Sequence, residues 1–428
     1  MSQKIADKEV RRTSLLAAEL KGSEIIKLAG EIKDKIAAGA KIYNYTIGDF
    51  DPALFPIPHD LENGIINAYK AKQTNYPPSN GIQELRESLS GFIEQKLGLK
   101  YTPNEFLVAA GGRPLIYAAY QAILDTDEKA IFPVPSWNNN HYTTLTRGKQ
   151  VAVIAKAEHN FMPTAEELKP HIEDAGLLAL CSPLNPTGTV FSKEQLLAIC
   201  EMVIAENKRR AGSKKPLYVL YDQIYWQLCF GETTHHDPVS LMPEMRPYTI
   251  YIDGISKAFS ATGVRVGWAF GPEEIIGKMK SILGHIGAWS PKPEQTATAN
   301  FLKDSVSVEE FLGQFKVALN RRLQAFYENF KALHSEGLPV DVIAPQAAIY
   351  LTVKIDLVGK TSPEGKTIKT VADTTAYLLD EAGIALVPFT AFGGEDGNPW
   401  YRLSVGTTKI DDVEIVTEKL RLAINRLN

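Results

Sequence analysis

The pattern of apolar and polar positions changes character along the chain. From about residue 14 to 38, Leu15, Leu16, Leu20, Ile25, Ile26, Leu28, Ile32 and Ile36 recur at helical spacing, so a long helix is predicted, with Gly22 as the place for a break. Through the middle, short apolar runs alternate with amphipathic stretches. Residues 130–134, 151–155, 177–181, 217–221, 249–252 and 266–270 read as strands, several of them apolar throughout, as strands covered on both faces are. A helix from Gln83 places Leu85, Leu89, Phe92 and Ile93 on one side and stops near Gly98. Another begins at Ser192, which forms a capping box with Gln195 ahead of Leu196, Leu197, Ile199, Cys200, Val203 and Ile204. Strands alternating with helices predict an α/β fold, a mostly parallel mixed central sheet with helices on both faces. From about residue 306 the pattern gives long helices, then strands around 349–353 and 401–405. The expected division is residues 1–45 as the N-terminal segment of a smaller α/β domain, 46–305 as a large domain, and 306–428 as the rest of the small one.

Composition narrows the class. With 428 residues the chain is too long for one ordinary domain, and 44% hydrophobic and 22% charged residues place it among soluble globular proteins. A net charge of -4 removes the electrostatic basis for a nucleic-acid partner. No apolar run reaches the ~18 residues of a membrane span, so no membrane partner is expected. The opening MSQKIADKEVRR is polar and leads into no apolar segment, so no secretory signal is expected. Cys181, Cys200 and Cys229 are odd in number and lack metal-ligand spacing. They suit a reducing, cytoplasmic location and imply neither a disulfide framework nor a metal. The basic residues between 208 and 215 are expected in a solvated loop, and the Gly-rich stretch 390–399 in a mobile one. No internal repeat is visible.

The chemistry starts at Lys257, in Ser256-Lys257-Ala258-Phe259, directly after the predicted strand 249–252. Eight residues on, Arg265 stands in Thr-Gly-Val-Arg-Val-Gly. Bonding to a carbonyl requires a neutral amine, and burial moves a lysine in that direction. A phosphate requires fixed donors, and a guanidinium supplies two parallel ones. Gly111-Gly112-Arg113-Pro114 precedes an amphipathic helix carrying Leu115, Ile116, Ala118 and Ala119. Its glycines permit close backbone approach, Pro114 suits the first turn, and the helix start presents free amides to an anion.

These motifs, in this order, resemble the class I/II aminotransferase family of fold-type I pyridoxal-phosphate enzymes, over roughly residues 40 to 410. The resemblance implies pyridoxal 5′-phosphate as cofactor, bound covalently to Lys257. It implies that Asp222, in Asp222-Gln223-Ile224-Tyr225, pairs with the protonated pyridine nitrogen. Asn185, in Asn185-Pro186-Thr187-Gly188, and Tyr225 would hold the ring's 3-oxygen. Gly111, Gly112, Arg113, Ser256 and Arg265 would surround the phosphate, and Trp137 would stack on the ring. One departure is Gly254, where many relatives carry Ser or Thr; Ser256 is the substitute candidate. Arg402 and Gly48 match positions that hold a substrate α-carboxylate, and Asn185 is expected to contact the substrate as well. Tyr76 matches a tyrosine that reaches the partner subunit's cofactor phosphate, which implies a homodimer with shared active sites.

The implied reaction moves an amino group from an amino acid to a 2-oxo acid by a ping-pong mechanism, with Lys257 as proton carrier. Aspartate and 2-oxoglutarate are the expected pair. Arg113 stands where an aspartate-preferring bacterial branch has a lysine that contacts the distal carboxylate, and Lys292 is a second candidate for that contact. His141 is expected behind Asp222. The alternatives are an aminotransferase for aromatic or neutral amino acids, or a β-lyase, decarboxylase or condensing enzyme on the same fold. A regulator that merely senses the cofactor would need a DNA-binding module, and the first ~40 residues offer no helix-turn-helix.

Overall fold

A computed structural model describes residues 12–20, 22 and 24–428. The polar opening of the chain up to residue 11 lies outside the described residues. Thirteen strands are found among them. They are β1 (Tyr43–Asn44), β2 (Phe106–Ala109), β3 (Lys129–Val134), β4 (Lys149–Ile154), β5 (Ala175–Cys181), β6 (Tyr218–Asp222), β7 (Thr249–Gly254), β8 (Gly267–Phe270), β9 (Val340–Val342), β10 (Tyr350–Ile355), β11 (Ile384–Ala385), β12 (Val387–Pro388) and β13 (Trp400–Ser404).

Seven strands form the main sheet in the order β2-β8-β7-β6-β5-β3-β4. Pairs from β7 to β4 are parallel, while β8 is antiparallel to both β2 and β7, so one strand of seven is reversed. Alternation along β5 shows why these sequences settle here. Leu177 and Ala179 face one core with Leu115, Ala119, Ile276 and Met279, whereas Leu178 and Leu180 face the other with Leu85, Leu89, Leu196 and Val203. Both faces are apolar because helices cover both. The capping box at Ser192 forms as expected: Gln195 N–H donates to Ser192 Oγ, and Ser192 N–H donates to Gln195 Oε1, both at 3.1 Å.

A second core surrounds the antiparallel sheet β12-β13-β10-β9. The helix Ser305–Ser335 ties the two cores together. Its Val308 and Leu312 pack with the large core, and Phe315, Leu319, Leu323, Phe326, Phe330 and Leu333 with the second. Truncating one of these, such as Leu319→Ala, removes about 2–5 kcal/mol. The early chain joins the second core too: β1 pairs with β11, and Ile32 packs on Leu379 and Ala385.

The expected break at Gly22 divides the stretch 14–38 into two helices, Leu15–Glu19 and Glu24–Ala37. Two expectations need correction. The basic residues after 208 are not all solvated. Helix Lys193–Arg210 runs through the first of them, and Arg210 is buried, bonded to Glu206 Oε1 and to the carbonyls of Ala175 and Ile172 at 2.6 Å each. A buried guanidinium needs such a full set of acceptors. Likewise, the stretch 390–399 opens on a one-turn helix, Phe389–Phe392, whose Phe392 is 4% exposed and packs beside Trp137 and Trp400.

Candidate active site

Six strands of the main sheet run the same way, so their C-terminal ends open on one edge, where α/β sheets bind ligands. Asp222 ends β6, and Lys257 follows β7 on the one-turn helix Ile255–Ala258. Asn185 follows β5, Trp137 follows β3, and Gly111 follows β2 at the start of helix Gly112–Ile123. The second sheet closes the cleft with Arg402 from β13 and Tyr350 from β10.

Lys257 Nζ donates to the Gly48 carbonyl at 2.7 Å. Burial pushes its pKa down to about 8; Asp49 opposes this, while Arg402, Arg113 and Arg265 add to it. An amine in that range is neutral often enough to act as nucleophile or base. Asp222 sits at the opening yet is closely surrounded, and burial pushes its carboxyl up to about 6, against one bond from the Ile224 N–H at 3.1 Å. Among the described residues no cation lies within salt-bridge reach of this carboxylate. Among the described residues the His141 ring makes no hydrogen bond to Asp222, whose one recorded bond is from the Ile224 N–H.

Arg265 lies against the loop before helix Gly112–Ile123. Its guanidinium donates to the Ala110 carbonyl at 2.7 Å and the Thr262 carbonyl at 2.6 Å. A Cβ on Gly111 would stand 2.1 Å from Arg265 Nη2, and Gly111 has φ +88, so this position requires glycine twice over. The departure at Gly254 has a similar cause: a Cβ there would meet the Gly267 backbone at 2.9 Å, where β7 and β8 converge. Ser256 is 8% exposed on the Lys257 turn, and its hydroxyl bonds to no described residue.

Arg402 is 2% exposed. It donates to Asn185 Oδ1 at 3.0 Å and to the Thr46 carbonyl at 2.6 Å, and its guanidinium carbon lies over the rings of Tyr350 and Phe392 at 4.7 and 4.9 Å. Its Nε is buried without a partner, and no described carboxylate pairs with it. A Cβ on Gly48 would stand 2.9 Å from the Tyr350 hydroxyl and 3.5 Å from Arg402 Nη1. Thus Lys257, Gly48, Arg402 and Asn185 form one contiguous set. Tyr225 joins it through its hydroxyl, 2.7 Å from that of Tyr350.

Arg113 is exposed at the cleft, its guanidinium 5.2 Å from the Trp137 ring centroid, with no carboxylate partner among the described residues. Trp137 in turn packs on Phe392. Tyr76 and Lys292 form a separate group. Tyr76 is 82% exposed against the edge of Trp289, and Lys292 donates to Asn75 at 2.9 Å. Within one chain neither contacts Lys257, Asp222 or Arg402. Sequence reasoning missed Tyr350, Asp49 and Phe392. Asp49 adjoins Gly48 and could have been found there; Tyr350 and Phe392 carry no local signal, since each reaches the site only by tertiary packing.

Comparison with known proteins agrees with this architecture. The model of the family "Aminotransferase class I and II" matches residues 48–420. The aspartate aminotransferase of Geobacillus stearothermophilus is 29% identical, over 94% of this chain and 96% of the relative. The aspartate/prephenate aminotransferase of Cereibacter sphaeroides is also 29% identical, over 91% and 93%. Among solved structures, the aspartate aminotransferase of Rhizobium meliloti superposes with a TM-score of 0.89 at 26% identity, covering 98% of this chain and all of that one. A match this long, together with a lysine, an aspartate and two arginines converging at the strand ends, means that the chain belongs to the class I and II aminotransferases.

Proposed function

We propose that this aminotransferase holds pyridoxal 5′-phosphate on Lys257 and moves the amino group of aspartate to 2-oxoglutarate. The observation that carries the reading is Arg402, a fully buried cation with an orphaned Nε and no counterion among the described residues. An uncompensated buried charge of this kind costs roughly 3–5 kcal/mol, and a substrate α-carboxylate docking on it removes that cost.

The residues present fit the cofactor. Asp222 is a carboxylate in want of a cation, as a protonated ring nitrogen would be. Gly111 leaves the start of helix Gly112–Ile123 open beside Arg265, an anion site suited to the phosphate, with Gly112 and Ser256 adjoining. Asn185 spends its oxygen on Arg402, which leaves its amide N–H groups, with Tyr225, to hold the 3-oxygen. Trp137 supplies a flat face at the same opening. When bound, the cofactor supplies an electron sink for the carbanion formed at the substrate Cα.

The chain's own groups do the rest. Arg402 and the Gly48 segment fix the α-carboxylate, so the Cα–H bond is oriented rather than free to rotate. Lys257 Nζ would take the Cα proton and pass it to the cofactor carbon that receives the amino group within the same half-reaction, reversing that transfer in the return one, a task suited to a group with a pKa near 8. Arg113, at the mouth beside Trp137, is placed to read the distal carboxylate of aspartate.

Exposed Tyr76, with the half-buried Trp289 and Lys292 beside it, supports a homodimer in which each protomer completes its partner's site. Residues 1–45 and 306–428 form the small domain of this reading and 46–305 the large one, supported by the β1–β11 pairing. The three free cysteines suit a cytoplasmic enzyme.

The test is a half-reaction panel with the holoenzyme and single amino acids, read by loss of the bound cofactor's visible band. Aspartate should react fastest. Arg113→Ala should lower kcat/KM for aspartate about 10- to 100-fold, the scale of one charged hydrogen bond, and leave phenylalanine nearly unchanged. An aspartate rate that does not move, or an aromatic donor preferred by the unaltered enzyme, defeats the aspartate assignment.

A further inference from the structure

We propose that Tyr350 is a positioning residue of this enzyme: its hydroxyl orients the Tyr225 phenol toward the cofactor, while its ring holds the Arg402 guanidinium for the substrate. The inference rests on Lys257 carrying pyridoxal 5′-phosphate, as proposed above.

Tyr350 lies on β10, in the second sheet, and is 1% exposed. Its hydroxyl is 2.7 Å from that of Tyr225, whose ring meets its own edge-on at 5.5 Å. Each phenol has a single proton. If Tyr225 directs its proton at the cofactor's 3-oxygen, the proton in the 2.7 Å contact belongs to Tyr350. Tyr350 then donates and Tyr225 accepts, and the chain of two bonds has one direction. A phenol that accepts a hydrogen bond is a stronger donor in its turn, by about 10–30% per bond. The same ring lies under Arg402 at 4.7 Å, and the hydroxyl reaches close to the Gly48 backbone, whose carbonyl accepts from Lys257. One side chain therefore braces two groups that approach the reaction from opposite ends of the site, Tyr225 toward the ring and Arg402 toward the substrate.

The two functions use different parts of Tyr350, so they can be separated. Tyr350→Phe keeps the ring and removes the hydroxyl; Tyr350→Leu removes both. The readout for the hydroxyl is the pH at which the visible band of the Lys257-bound cofactor titrates. Donation to the 3-oxygen stabilises its negative charge, so weaker donation moves that pH upward. The groups that face Lys257, namely Asp49, Arg402, Arg113 and Arg265, are unchanged in these variants. Those acting on Tyr350 are Arg402, Tyr225, Cys181 and Asp49, and they too remain.

The experiment titrates the holoenzyme, Tyr225→Phe, Tyr350→Phe and the double variant. Tyr350→Phe should shift the titration upward by about half a pH unit, the size of a modest hydrogen bond. Tyr225→Phe should shift it further, and adding Tyr350→Phe to Tyr225→Phe should shift it no more, since the route through Tyr225 is already gone. Tyr350→Leu should in addition raise the KM for the amino acid about tenfold, or more than Tyr350→Phe does. An unmoved titration in Tyr350→Phe overturns the inference, as does a shift that adds in full to that of Tyr225→Phe. If the unaltered chain binds pyridoxal phosphate but shows no such coupling, only the role of Tyr350 falls. If it shows no cofactor band on Lys257 at all, the reading beneath it falls as well.

Discussion

Lys257, half-buried, and Arg402, fully buried, are two cations brought to one cleft from two different sheets, and desolvation acts on them with opposite consequences. Lys257 starts from 10.5, and burial carries it to about 8, within reach of its neutral form. Burial lowers Arg402 as well, but a guanidinium keeps its proton across the range in which proteins work. One site in the main sheet therefore becomes a base, and the other, in the second sheet, remains a fixed positive charge. Residue identity, not depth of burial, divides proton transfer from anion recognition.

The hardest blow to this comparison is Lys257→Ala. We expect the half-reaction with any amino acid to slow by about 10,000-fold, the upper end of general acid–base catalysis, with partial rescue by small primary amines. Activity retained without Lys257 would remove the base from the comparison. The apo form gives a different measure of the same group. Since the folded pKa is lowered, the cost of burying the charge is fully present below pH 8 and fades between pH 8 and 10.5. Lys257→Met should therefore stabilise the apo chain by about 2–3 kcal/mol at pH 7 and by almost nothing above pH 10.5, as measured by denaturant midpoints. A stabilisation independent of pH would mean that packing, not charge, is responsible.

Arg402→Lys tests the other cation. It keeps the charge but loses the planar fork, so kcat/KM should drop about 100-fold, mostly through KM. A conservative lysine that serves equally well would show that charge alone matters there. The smallest effect is predicted for His141→Ala. With no hydrogen bond to Asp222 among the described residues, His141 should change the half-reaction rate by less than about twofold.

Much of this was legible in the residues. The strands β3, β5, β6 and β7 announce themselves as apolar runs because both of their faces are covered. Ser192 and Gln195 cap a helix by contacts three residues apart, which a local pattern records in full. Lys257, Arg265, Asp222 and Asn185 stand at strand ends, so motif order locates them. Elsewhere local pattern was insufficient. Strand β2, four residues at the sheet edge, is too short to show a period, and nothing in 266–270 reveals that β8 is reversed. Arg210 looks like one more base in a solvated run; its acceptors at Ala175 and Ile172 come from a distant stretch of chain.

The sequence by itself determined the α/β class, the order of the elements, and the chemical identity of the groups at the ends of the main-sheet strands, since strand periodicity and motif spacing are properties of neighbouring residues. Only the tertiary structure decided which of those groups touch. It left Arg402 without a counterion among the described residues, set Tyr350 against Tyr225, and placed Tyr76 and Lys292 beside Trp289 and Asn75. The reason is physical: desolvation and hydrogen-bond distance depend on side chains that meet from opposite ends of the chain, and no periodicity along the backbone encodes that meeting.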